Sequence, residues 1–264
     1  VYGFGKSEEF LGEFIRATGT SPIVATKFAP LPWRLNAASV PLAAEASLKR
    51  MGLAKMGLYM QHWPGFLTSA FSNDAYIEGL IQVKERGLAD AIGVSNFNAS
   101  RIAGASKRMG QAGVALASNQ VQYSLLYRKP ETSGVLETCR EYGVTPVAYS
   151  PLNQGLLTGK YVESGVKPYG PRAAVFTDAR IREIQPLLSL MTAIGQERGK
   201  SLPQISLNWC ICKGALPIPG AKTAKQLEEV TGAMGWRLSD GEMAELDKVS
   251  GRISVAVGAP FESW

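Results

Sequence analysis

The sequence is poor in the residues that build metal centres and disulfide frameworks. It holds one histidine, His62, and three cysteines, Cys139, Cys210 and Cys212, in 264 residues. An odd number of cysteines in a chain of this length is not a disulfide scaffold and points to a reducing compartment. No CxxC pair occurs, so zinc held by cysteine and histidine is disfavoured. No apolar run is long enough to span a membrane, so a membrane partner is not expected. No G-x-G-x-x-G follows a strand-like run, so the Rossmann dinucleotide fingerprint is missing. Glycine is somewhat enriched, at 28 residues, but without a three-residue period, which excludes a collagen-like chain. Hydrophobic residues at 45% and charged residues at 19% exclude a disordered one. The net charge of +6 is scattered; it suits an anionic small molecule or a solvated surface, and no nucleic-acid partner is expected. The opening, Val1-Tyr2-Gly3-Phe4-Gly5, has no initiating Met and reads like the interior of a longer segment.

What is present is alternation. Short apolar runs at Ile23–Phe28, Gly57–His62, Ala89–Val94, Ser118–Tyr123, Thr145–Tyr149 and Leu216–Ile218 read as strands. Helical patterns lie between them, at Ser7–Arg16, Ser39–Gly52, Asp74–Gly87, Ala99–Gly113, Pro130–Tyr142 and Pro203–Lys213. Ser7 is the expected cap of the first helix, with glutamates at its positive end. Gly87, Gly113 and Gly143 stand where helix ends favour a left-handed residue. The long interval after Tyr149 holds a Gly/Pro-rich stretch, Ser164–Pro171, and two more helical patterns. No composition break marks a linker, so one domain over 1–264 is expected. Repeated βα units imply a parallel sheet with right-handed crossovers. An open doubly wound sheet and a (β/α)8 barrel short of its first strands both fit, and the missing fingerprint favours the barrel.

In such a barrel, chemistry collects where strands end. Those positions are Lys27, His62-Trp63-Pro64, Ser95-Asn96, Asn119-Gln120, Tyr149-Ser150-Pro151 and Pro219-Gly220-Ala221. Each has a plain alternative. Lys27 could be a solvated surface cation, His62 a hydrogen-bonded core imidazole, Ser95-Asn96 a helix cap, Asn119-Gln120 buried amides serving the backbone, Tyr149 core packing and Pro219-Gly220 a turn.

Their joint order is far more specific. VYGFGKSEEFLGEFI, VATKF, LYMQHWPG, AIGVSNF, ASNQVQYSLL, VAYSPLNQGLLTGKY and PIPGAKTAKQLEE resemble, in that order, the aldo-keto reductase superfamily, over Val1 to about Val249. ATKFAPLPWR, SNQVQYSLLYRKPE and the terminal PF are similar to the chloroplast members of plants and green algae, which implies a chloroplast location. The resemblance implies a (β/α)8 barrel that binds NADP(H) without a Rossmann fold and moves hydride between nicotinamide and a small-molecule carbonyl. Tyr2 matches the tyrosine of the family's D-T-A-x-x-Y-G string, Lys27 the lysine of A-T-K and His62 the histidine of H-W-P. The family's aspartate would lie before Val1, as would the first two barrel strands, so the sequence reads as truncated at its N-terminus. Tyr2 would be the proton donor once that preceding segment is present.

The same resemblance assigns cofactor contacts. Ser95, Asn96 and Gln120 match positions that bind the carboxamide, and Tyr149 the aromatic that stacks on nicotinamide. Leu152, Gln154 and Gly155 lie in the diphosphate loop. Gly220, Ala221, Lys222, Thr223, Gln226 and Glu229 match the adenosine end, with Lys222 facing a 2′-phosphate. Val230 departs from the asparagine common in the family. The substrate pocket would come from the loops Trp63–Asn73 and Ser164–Asp178. A regulatory protein on the same barrel, or an inactive partial product, are the alternatives; the presence of Tyr2, Lys27 and His62 favours an enzyme.

Overall fold

The structure is a computed structural model that describes residues 2–65, 71–163 and 176–254. The Gly/Pro-rich stretch Ser164–Pro171, most of the expected loop Ser164–Asp178, the middle of the loop Trp63–Asn73 and the terminal PF lie outside the described residues. A 3-10 turn at Tyr2–Gly5 leads into α1 (Lys6–Thr18), then β1 (Ala25–Phe28), α2 (Ser39–Met51), β2 (Met56–Gln61) and α3 (Asn73–Glu85). There follow β3 (Ala89–Ser95), α4 (Ala99–Gln111), β4 (Leu116–Gln122), α5 (Lys129–Thr132), α6 (Val135–Glu141) and β5 (Thr145–Tyr149). A 3-10 segment at Asn153–Thr158 precedes α7 (Lys160–Glu163), α8 (Asp178–Arg198), α9 (Leu202–Cys212), β6 (Leu216–Ile218), α10 (Ala224–Thr231) and α11 (Asp240–Ser250). All six expected strands are present.

The described residues divide into two compact units, the first holding 2–120 and 133–145 and the second 121–132 and 146–254. In the first, β1, β2, β3 and β4 follow one another in sheet order, each parallel to the next. A doubly wound sheet reverses its strand order part-way; this run does not. Lys27 stands level with Met60, and Phe28 with Gln61. Strand β1 begins at Ala25 rather than Ile23; Ile23 is 89% exposed, and the Val24 carbonyl accepts from the N–H groups of Gly57 and Leu58.

The core of this unit is buried aliphatic and aromatic packing around Phe28, Val40, Ala44, Tyr59, Tyr76, Leu80 and Ile92. The Phe28 and Tyr76 rings lie 5.1 Å apart, and the Tyr76 hydroxyl donates to the Arg34 carbonyl at 2.5 Å. Phe28, Val40, Leu80 and Ile92 each contribute about 1.5–3 kcal/mol relative to exposure. Helix α1 sits tightly on α2: a Cβ on Gly12 would stand 2.2 Å from the Met51 carbonyl oxygen.

Two local expectations are corrected. Ser7 does not cap α1. The helix starts one residue earlier, after Gly5 at φ 98°, and no side chain caps it. The helix expected at Pro130–Tyr142 is two, α5 and α6, because Gly134 takes φ 76° between them. The expected helix ends hold: Gly87, Gly113 and Gly143 have φ of 68°, 70° and 67°.

In the second unit the end of β4 is followed in sheet order by β5 and β6; the Tyr123 N–H donates to the Tyr149 carbonyl at 3.3 Å, and β5 pairs in parallel with β6. Four charges knit its helices together. Arg128 donates to Glu131 through Nη2 at 2.6 Å and Nε at 2.9 Å, and Lys213 lies 2.6 Å from Asp247. Trp209 donates to the same Asp247 at 2.9 Å, with Arg128 and Lys213 at 5.5 and 5.3 Å from its ring centre. The Tyr123 hydroxyl donates to Glu131 at 2.6 Å. Burial pushes the Tyr123 phenol up, as does the neighbouring Glu131 charge. Cys139 in the first unit and Cys210 in the second are buried, and burial raises both thiols, Cys139 to about 12. Reactive thiols need the opposite shift. Among the described residues no helix is long and apolar enough to cross a membrane, and no group of His, Cys, Asp and Glu could hold a metal ion.

Candidate active site

In the first unit, β1 and β2 deliver Lys27 and His62 to the same end of the sheet. Successive side chains of a strand alternate in direction, so Thr26 and Lys27 face opposite ways. Lys27 is half-buried, and burial pulls its ammonium from 10.5 down to about 8. It is therefore not the solvated surface cation of the plain alternative. His62 follows the last residue of β2, and its N–H donates to the Phe28 carbonyl at 2.8 Å. Its ring lies against Trp63, with centres 4.4 Å apart. Burial and then the Lys27 charge lower the imidazole to about 4. At neutral pH the ring is uncharged, a hydrogen-bonding group rather than an ion.

The next two strand ends meet His62 through Asn96. The Asn96 side chain donates to the His62 carbonyl at 3.3 Å and to the Ser95 hydroxyl at 3.2 Å. Ser95 Oγ donates to the Gln120 carbonyl at 2.7 Å, and so does the Asn96 N–H at 2.9 Å. Asn96 takes φ 59°, a left-handed backbone that a non-glycine residue seldom adopts outside a constrained site. The structure thus brings His62, Ser95, Asn96 and Gln120 together. The helix-cap alternative does not hold for Ser95-Asn96, since Asn98 caps α4 by accepting from Arg101. Asn119 and Gln120 differ. Asn119 serves the backbone, bonding both the N–H and the carbonyl of Phe97. Gln120 Oε1 is buried with no hydrogen-bond partner among the described residues.

Tyr2 lies in the 3-10 turn that opens the first unit. Sequence reading gave little weight to what anchors that turn. Glu8, in the first turn of α1, accepts from Thr26 Oγ1 at 2.6 Å and from Arg50 Nε at 2.6 Å. A cavity of about 300 Å³ is lined by Glu8, Thr26, Lys27, Arg50 and Tyr59, among others. The only sequence signal was the Ser7-Glu8-Glu9 run, which reads equally as a pair of helix-dipole partners.

In the second unit, half-buried Tyr149 ends β5. Beyond it the backbone turns through left-handed residues: Ser150 at φ 52°, Asn153 at 46°, Gln154 at 57° and Gly155 at 105°. The Asn153 and Gly155 N–H groups close this loop on the carbonyls of Ser150 and Leu152, at 2.8 and 3.0 Å. The Asn153 side-chain nitrogen is buried without a partner among the described residues. Further on, Gly220, Ala221, Lys222, Thr223, Gln226 and Glu229 are exposed around the start of α10. Thr223 caps that helix by accepting from the Gln226 N–H at 3.2 Å, and Gln226 Oε1 accepts from the Lys222 N–H at 2.7 Å. Two donors of the expected anion site therefore have partners within the helix start itself.

The aldo/keto reductase family model matches residues 1–250. The chloroplastic pyridoxal reductase of Arabidopsis thaliana is 38% identical over 249 residues, covering 92% of this chain and 68% of its own. An NADP(+) aldo-keto reductase of Schizosaccharomyces pombe is 31% identical over 99% of this chain and 79% of its own. Among solved structures, a glycerol dehydrogenase from Gluconobacter oxydans superposes with a TM-score of 0.84 at 26% identity, covering 98% of this chain and 81% of its own. An aldo/keto reductase from Klebsiella pneumoniae in complex with NADP and acetate superposes at 0.72 with 26% identity, covering 93% and 76%. The match along nearly the whole chain, together with parallel strands that bring a lysine and a histidine to one end of the sheet, leads to one conclusion: this chain belongs to the aldo/keto reductase family, whose fold is a (β/α)8 barrel.

Proposed function

We propose that the chain is an NADP(H)-dependent reductase of aldehydes or ketones, with pyridoxal the first substrate to test and the chloroplast its location. The observation that carries the reading is the pair at the ends of β1 and β2, a half-buried Lys27 lowered to about 8 and a His62 lowered to about 4. A free phenol near pKa 10 gives up its proton slowly at neutral pH. In this reading Tyr2 holds the proton for the carbonyl oxygen, and the Lys27 ammonium favours the tyrosinate left behind. Neutral His62 donates a hydrogen bond to that oxygen as negative charge develops.

NADPH, when bound, supplies the hydride. The residues fit it: Gln120 Oε1, buried and without a partner among the described residues, is an acceptor suited to a carboxamide N–H, beside Ser95 and Asn96. Tyr149 would stack on the ring, and Leu152, Gln154 and Gly155 would lie along the diphosphate. Gly220, Ala221, Lys222, Thr223, Gln226 and Glu229 would hold the adenosine end. Turnover of pyridoxal with NADPH should fall on the order of a hundredfold or more in Tyr2→Phe, while NADPH affinity holds. Near-parent turnover in that variant would refute the role of Tyr2.

A further inference from the structure

We propose that Glu8 is a positioning residue: it holds the turn bearing Tyr2 in register with the strand bearing Lys27. The proposal rests on the reading of Tyr2 as proton donor. Proton transfer between groups on different elements needs their spacing fixed to within a fraction of an ångström. The turn Tyr2–Gly5 and the strand β1 lie on either side of α1, and Glu8, in the first turn of α1, ties β1 to the α2 residue on which the turn rests.

One carboxylate oxygen of Glu8 accepts from Thr26, the residue before Lys27, at 2.6 Å. The other accepts from Arg50 Nε of α2 at 2.6 Å, and Arg50 Nη2 lies 2.6 Å from the same oxygen as its ion-pair partner. Arg50 is itself held by the Ser47 hydroxyl at 3.0 Å. Arg50 also lies directly beneath the turn: a Cβ on Gly5 would stand 2.8 Å from Arg50 Cδ and 3.1 Å from its Nε. Gly5 has φ 98° and cannot take a side chain there without strain or collision. The backbone that follows Tyr2 is thus seated on the guanidinium stem that Glu8 fixes.

Burial pushes the Glu8 carboxyl up, but the hydrogen bonds from Thr26, Arg50 and Ser47 outweigh it and hold the group below its ordinary value. The carboxylate is the form that both donors require. Because Thr26 and Lys27 face opposite sides of the strand, the Thr26 bond fixes the strand at this point without occupying the side that carries the ammonium. Charge-assisted bonds of this length are among the strongest available to side chains.

The test needs no turnover for its first arm. Glu8→Gln keeps the shape and loses the charge. Amide hydrogen exchange over residues 2–12 should quicken about tenfold or more, while β2 and β3 keep their protection. Thr26→Val should act in the same direction, and Thr26→Ser should restore protection, which guards against a Glu8 variant that does not fold. Unchanged exchange over residues 2–12 overturns the proposal. In the second arm, Glu8→Gln should lower kcat for an aldehyde about tenfold at unchanged NADPH affinity, and by less than threefold when Tyr2 is already Phe. Equal losses on both backgrounds overturn the proposal while leaving Tyr2 as donor. Parent-like turnover in Tyr2→Phe instead overturns the reading beneath it.

Discussion

Replacing Lys27 with methionine should make the protein more stable while abolishing the proposed carbonyl reduction. The ammonium has an ordinary value of 10.5 and burial lowers it to about 8. At ~1.36 kcal/mol per pH unit, a fall of this size is roughly 3 kcal/mol of cost to keeping the charge in the folded protein at pH 7. Because Lys27 is only half-buried, solvent screening reduces this, and a gain of about 1–3 kcal/mol is expected for Lys27→Met. The sign follows from proton counts. Below pH 8 both folded and unfolded chains hold the proton, and the folded chain bears the whole cost. Between about 8 and 10.5 the folded chain has released it and the unfolded chain has not, so the parent gains stability as pH rises. Other groups titrate in that range, so the quantity to follow is the difference between parent and variant. Urea denaturation at pH 7 and pH 9.5 should show the Lys27→Met advantage shrinking by more than half. A variant less stable than the parent, or an advantage that does not change with pH, would refute the assignment of Lys27 as a charge held in place against its own solvation.

Two further outcomes are expected. His62, lowered to about 4 from 6.5, takes a proton in the unfolded chain before it does in the folded one, so stability should fall as pH drops through that window. With allowance for its partial exposure, His62→Gln should remove about 1 kcal/mol of the loss between pH 7 and pH 5, read by chemical denaturation at the two values. Lys222 is exposed at the start of α10, and Lys222→Ala should weaken NADPH binding about tenfold, the scale of one charge-assisted contact, while leaving NADH binding unchanged. Fluorescence titration with both cofactors measures it, and equal losses for the two would refute a 2′-phosphate contact.

What could be read before the structure was known was local. The six strands show in short apolar runs bounded by turn residues, and the left-handed glycines at 87, 113 and 143 mark helix ends by chemistry that needs no distant partner. The split at Gly134 was hidden because glycine inside a helical pattern is tolerated as often as it breaks the helix. Ser7 is a plausible cap by residue type, but the helix starts at Lys6, after a left-handed Gly5, and no side chain caps it. Asn119 and Gln120 are neighbouring amides with the same donors and acceptors. Only the fold reveals that one serves the Phe97 backbone and the other has an acceptor without a partner among the described residues. The sequence shows Glu8 only as a helix-dipole partner, because its hydrogen-bond partners lie 18 and 42 positions away.

The four charges around Trp209 bear on how this family member can drift. Arg128, Glu131, Lys213 and Asp247 are each shielded from solvent on most of their surface, and each touches two or more of the others. Loss of one cation leaves two part-buried carboxylates sharing the other, a heavier penalty than loss of an exposed pair. Single replacements at these positions should therefore be rare among descendants of this gene, and replacements at Arg128 should travel with compensating changes at Glu131 or Asp247. Trp209, whose ring lies within 5.5 Å of both cations and whose indole N–H donates to Asp247, would be the last of the group to change, since phenylalanine forfeits that bond. A lineage in which tryptophan gives way first would mean that the ring, and not the charges, was dispensable.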